Sequence, residues 1–204
     1  MYDLAWFLTS TAGLKGDLDT YYDPENSRID RVLSRFRGNP ITLSVIWMSV
    51  GRRVGVDLVG IGMPGHYLVR DRWDEDSFYD TYYGVPLERT GVQRLFEDRN
   101  GASQAFSAEY IDPVSDMDTA RRMLANLTSI YVHQSDSKSL AWVLKLRTMM
   151  PGADPATHRQ LAGVLGHLGR HWEAADVYER LIDLQPARAE QHRDAVRRLR
   201  AHGN

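Results

Sequence analysis

His66 and Asp80 are the residues whose types and spacing promise chemistry. An imidazole steadied by a carboxylate is a common device for moving a proton near neutral pH. His66 follows the Met63-Pro64-Gly65 turn and opens the β-leaning run YLVR, while Asp80 lies in the next β-leaning run, SFYDTYY. Adjacent strands would set the two side chains next to each other. Such a pair usually serves a nucleophile, and the 204 residues contain no cysteine. Thiolate catalysis, disulfides and cysteine-ligated zinc are therefore excluded. Ser44, in GNPITLSVIW, is the best remaining hydroxyl. It lies one helical turn, about 6 Å, from Pro40 on the same face, whereas Thr42 is about 200° round the helix. That leaves Ser44 one turn deep for a nucleophile, and small polar residues in buried helices more often bond back to the backbone.

The elements that must position these residues follow from local patterning. Asn39-Pro40 is a helix start, with a capping amide followed by proline at the first helical position. From Ile41 to Val50 only Thr42, Ser44 and Ser49 are polar, so this helix is buried on several sides. Gly55 supplies its left-handed stop, with Arg52 and Arg53 in the last turn. Strands are expected at 58–62, 67–70 and 77–83, and a short helix around Val92, Leu95 and Phe96, with loop elsewhere in 84–112. Upstream, Leu4, Phe7 and Leu8 have helical spacing, and Ser27 is a candidate cap for an amphipathic helix over 28–36. The arginines at 28, 31, 35 and 37 form that helix's polar face, a solvated face rather than an anion site.

From Asp118 the pattern becomes four consecutive amphipathic helices. Pro151 and Pro186 close the second and fourth, 35 residues apart, close to the roughly 34-residue tetratricopeptide period. Leu161, Ala162, Leu165, Gly169, Ala174, Tyr178 and Pro186 fall where that repeat wants its packing residues, and the preceding unit is degenerate. The expected organisation is an α+β domain over 1–115 and an all-α region over 116–204, its tail from 187 a capping helix. Trp142 and Trp172 read as core or inter-repeat contacts. His167 and His171 have a metal-chelating spacing broken by Gly169, and read as surface histidines; no metal or other cofactor is expected.

Composition sets the remaining bounds. Lys and Arg total 25 against 27 Asp and Glu, a net charge of −2 and a pI of about 6.4. No nucleic-acid or anionic-membrane footprint follows from that balance. No apolar run approaches the ~20 residues of a membrane span, and Asp3 with no basic leader makes a poor signal peptide. A cytoplasmic protein is the expectation.

TYYDPENS (20–27), GNPITLSVIW, GRRVGV and GIGMPGHYLVR resemble the transglutaminase-like family of the SirB-one type, bacterial proteins with a transglutaminase-like domain followed by tetratricopeptide repeats. The resemblance covers about residues 8–186, and members generally have a further helical segment ahead of the TYYDP approach. It implies a papain-like core, a central helix on a small antiparallel sheet. In active relatives the nucleophilic cysteine stands at the start of that helix; aligning GRRVG with their arginine-glycine pair puts Pro40 there, His66 on the histidine and Asp80 on the aspartate. Thr81-Tyr82 stands where the family usually has Pro-Phe, which reshapes the pocket rim. With Pro40 in the nucleophile's place, the first reading is a non-catalytic binding or adaptor protein with Asn39, Pro40, His66, Asp80 and Tyr82 around a small-molecule pocket, and repeats that take a protein or peptide. The alternatives are an enzyme using the His66–Asp80 dyad on an amide or ester, possible homo-oligomer formation through the repeats, and a purely structural dyad.

Overall fold

A computed structural model of the chain describes residues 1–101 and 104–202, leaving Gly203 and Asn204 of the expected capping helix outside the described residues. It divides into two compact units, Met1–Met123 and Leu124–Asn204.

The first unit is α+β. Its central helix, α3, runs Pro40–Val54, after the short helices α1 (Tyr2–Trp6) and α2 (Ile29–Arg35) and the two-residue strands β1 (Lys15–Gly16) and β2 (Arg37–Gly38). Strands β3 (Leu58–Ile61), β4 (Leu68–Asp71), β5 (Phe78–Asp80) and β6 (Val85–Leu87) form one antiparallel sheet in chain order. Helix α4 (Arg89–Asn100) follows. β1 and β2 pair separately, in parallel.

α3 starts and stops as its sequence dictates. Asn39 Oδ1 accepts from Thr42 N at 3.0 Å, and Gly55 closes the helix at φ 79°. The sheet is covered on both faces because side chains alternate along each strand. Val69 and Tyr79 join Leu43 and Trp47 on the α3 side. Leu68 and Phe78 join Val92 and Phe96 on the α4 side. Arg70 is buried as well, with Nε unpartnered.

Several expectations change. Three strands become four: β5 stops at Asp80, a turn takes 81–84, and β6 lies in the stretch read as loop. Ser27 does not cap α2; it ends a 3₁₀ turn (Pro24–Ser27), and Arg28 holds the cap position without a side-chain bond. The Ser27 hydroxyl instead accepts from Asn39 Nδ2 at 2.8 Å. The arginines of α2 and β2 are engaged by Glu25, Asp30, Asp17, Asp23 and Asp19, in keeping with a solvated polar face.

The second unit is helical. Helix α5 (Asp116–His133) contains the division between the units, and α6 (Ser137–Thr148), α7 (Pro155–His167), α8 (His171–Leu184) and α9 (Ala189–His202) pack on one another in chain order. Leu127, Leu144, Leu161, Leu165 and Ala174 build its core. Gly169, at φ 72°, makes the α7–α8 turn and leaves His167 and His171 on different helices. One reading of side-chain position is corrected: Trp142 and Trp172 are half exposed rather than core. His158 and His192 are buried. No helix among the described residues is long and apolar enough to cross a membrane.

Candidate functional site

His66 and Asp80 meet at the mouth of the β3–β4 turn. Gly65, at φ 77°, lets the chain turn back, and His66 N donates to Met63 O at 3.2 Å. The imidazole Nε2 lies 2.8 Å from Asp80 Oδ2. The other carboxylate oxygen, Oδ1, accepts from the backbone N–H groups of Tyr82 and Tyr83 at 2.9 and 3.1 Å. Asp80 is thus fixed by the turn that follows it, and it fixes the ring in turn. With Nε2–H donating to the carboxylate, Nδ1 keeps its lone pair as a proton acceptor, and it has no hydrogen-bond partner among the described residues. The geometry is that of an oriented general base.

The start of α3 faces the same turn. Thr81 Oγ1 donates to Pro40 O at 3.3 Å and lies 3.0 Å from Ser44 Oγ. All three residues are buried. Ser44 therefore spends its hydroxyl on Thr81, and Thr42 Oγ1 bonds Asn26 O and the Asn39 side chain. Pro40 brings neither a nucleophile nor an N–H.

Aromatic rings close over the histidine. Tyr82 meets the His66 ring edge-on at 6.4 Å between centroids, and Tyr83 stacks on it at 6.2 Å. Tyr82, expected at the pocket rim, is 5% exposed, and its hydroxyl donates to Asp17 O at 2.5 Å. Burial, helped by the nearby Tyr83 and Tyr21 hydroxyls, pushes the Tyr82 phenol up to about 12. Desolvation pushes the Asp17 carboxyl up, but hydrogen bonds from Thr20, Asn26 and Asp19 outweigh it and hold the group below its ordinary value. Gly16 makes this approach feasible, because a Cβ there would sit 2.5 Å from Tyr82 O.

Sequence reasoning missed the residues that hold this arrangement from a distance. Arg122 donates to Met63 O and His66 O at 2.7 and 2.8 Å, and burial pulls its guanidinium below the usual arginine range. Asn100 Nδ2 donates to Pro64 O at 3.1 Å. Arg99 donates to the Tyr83 hydroxyl at 2.6 Å and lies over its ring. Only the helical register of α4 and α5 hints at these, since a carbonyl target leaves no mark in sequence. No group of three or more metal-ligating side chains occurs among the described residues.

Comparison with known proteins places the α+β unit in a family. The profile of the transglutaminase-like superfamily matches residues 2–125. The chain belongs to the transglutaminase-like superfamily. A UPF0162 protein of Xylella fastidiosa (strain 9a5c) is 33% identical over 132 residues, covering 62% of this chain and 47% of that protein. A UPF0162 protein of Vibrio cholerae is 25% identical over 182 residues, 85% of this chain and 65% of its own. The mouse F-box only protein 21 shares 38% identity over 56 residues, 28% of this chain and 9% of that protein. The chain spans about half the length of the first of these relatives. No solved structure matches the chain at a significant level. In this transglutaminase-like chain the dyad stands beside a helix start that holds proline.

Proposed function

We propose that the chain is a non-catalytic binding or adaptor protein of the SirB-one type, acting in the cytoplasm. In this reading its transglutaminase-like part is followed by tetratricopeptide-like helices that take a protein or peptide. The observation that carries it is Pro40 at the first position of α3, in a chain without cysteine. Covalent acyl transfer needs a nucleophile that the oriented base can reach, and the nearby hydroxyls of Ser44 and Thr81 are bonded to each other inside the protein. The dyad then shapes a pocket around His66 and secures the turn that carries it.

One observation favours a second reading. The Nδ1 lone pair of His66 is left over after Asp80 has oriented the ring, which suits acid–base chemistry on an amide or ester with water or substrate as nucleophile. The two readings separate on His66. A thermal-shift screen of wild type and His66→Ala against amino-acid derivatives and small metabolites, with hydrolysis assayed on every hit, is the test. Binding without turnover, and peptide capture that survives His66→Ala, supports the binding protein. Turnover of any hit that disappears in His66→Ala would sink it in favour of the enzyme.

A further inference from the structure

The second unit contains a groove of about 310 Å³ between α6, α7 and α8. Leu161 and Leu165 of α7 form its floor. Lys138, Trp142 and Lys145 stand along the α6 wall, at the i, i+4 and i+7 spacing that puts them on one helical face. Only three lysines occur in the chain, the third being Lys15, so this face holds two of them with a half-exposed indole between. On the α8 wall Arg170 and Glu173 neutralise each other through two bonds of 2.7 Å. Arg180 and Asp176 also line that wall. Lys138, Lys145 and Arg180 make no ion pair among the described residues; Asp136 acts on Lys138 and Glu173 on Lys145 only at longer range, and the three cations outnumber Asp176 on the groove wall.

We propose that this groove binds an extended acidic peptide segment, with two carboxylates three residues apart on Lys138 and Lys145 and an apolar side chain between them against Trp142. The inference rests on the reading of the helical region as a peptide-binding module and adds the chemistry of its partner. The spacing supports it. Seven residues of α6 cover roughly 10.5 Å, and three residues of a polyproline-II-like extended segment cover roughly 9 Å while returning a side chain to the same face. The apolar floor supplies burial, and the flanking cations supply selection through charge. Nucleic acid is the poorer fit, because the groove offers a single aromatic stacking platform and retains Asp176.

The test starts with a random-peptide display library selected on the full chain. Fluorescence anisotropy follows, with a fluorescein-labelled peptide carrying two glutamates three residues apart around a leucine, and with its glutamine counterpart. The inference expects enrichment of acidic peptides and at least about a tenfold preference for the glutamate probe that shrinks as salt rises. Lys138→Glu with Lys145→Glu should remove that preference, Trp142→Ala should weaken binding severalfold, and Lys15→Glu, an exposed lysine of the first unit outside the groove lining, should change nothing. Both lysines are exposed, and the milder Lys138→Gln with Lys145→Gln pair guards against misfolding. Enriched peptides that are not acidic, or that survive charge reversal, overturn the inference while leaving the binding module intact. No enrichment at all removes both. Tighter binding of a single-stranded RNA, or a doubled mass that charge reversal abolishes, hands the groove to another occupant and overturns the inference.

Discussion

In the first unit Ser44, Thr81, His66 and Asp80 aim their polar atoms at one another, at 3.0 Å for the hydroxyl pair and 2.8 Å for the dyad, and none is more than 3% exposed. In the second, Lys138, Lys145 and Arg180 stand in an open groove with no carboxylate in ion-pair contact among the described residues. Similar counts of polar groups are used in opposite directions. Where polar groups satisfy each other inside the fold, their removal is felt as lost stability. Where they face solvent unspent, removal costs little stability and what is lost is recognition.

Substitutions can break or sharpen this contrast. Asp80→Ala strips His66 of its partner and leaves the Tyr82 and Tyr83 N–H groups without an acceptor. It should lower stability by about 3–5 kcal/mol in urea unfolding, and a loss below 1 kcal/mol would mean the dyad is not structural. Gly16→Ala drives a Cβ into the Tyr82 backbone and should cost about 1–3 kcal/mol. An unchanged midpoint would show that the Asp17–Tyr82 contact is loose.

His192 tests whether the second unit also has an inward-facing polar group. It is 2% exposed, with Nε2 on Gln185 Oε1 at 3.3 Å and its ring beside Tyr178. Burial lowers its pKa below the ordinary value of 6.5, with Arg159 and Arg188 adding to the effect. The unfolded chain therefore binds the proton more readily. This contribution to stability is complete above pH 6.5 and is lost as the pH falls below it toward the depressed folded value. Thermal midpoints measured across that window should decline less steeply in His192→Gln, and parallel curves would refute the assignment. Lys138→Glu is the smallest expected effect, within about 0.5 kcal/mol in stability; a larger loss would place Lys138 among the structural groups.

Signals confined to one segment were legible in the sequence. Asn39-Pro40, the Gly55 stop, the 3.6-residue periodicity of the later helices and the Gly169 turn each depend on neighbouring residues, and each is where local chemistry puts it. The meeting of His66 and Asp80 was legible because one turn and one short strand separate them. What failed was whatever depended on a distant partner. Ser27 could cap the next helix or serve Asn39, and tertiary packing chose the second. β6 contains Pro86, which argues against a strand, yet at the sheet edge its missing N–H leaves no central ladder bond unmade. Trp142 has a packing spacing, but its helix turns it toward the groove.

The bonds around His66 also have a temporal meaning. Ser44 and Thr81 are 37 residues apart, Thr81 and Pro40 41, Arg122 and Met63 59, and Tyr82 and Asp17 65. Closing such long loops costs entropy before any of these contacts can repay it. The bonded turn around His66 is thus expected to assemble after the helix and hairpins that frame it, with little of it formed at the folding barrier. Asp80→Ala should then speed unfolding far more than it slows refolding. In stopped-flow chevrons, a displaced refolding arm would instead make the turn around His66 part of the nucleus.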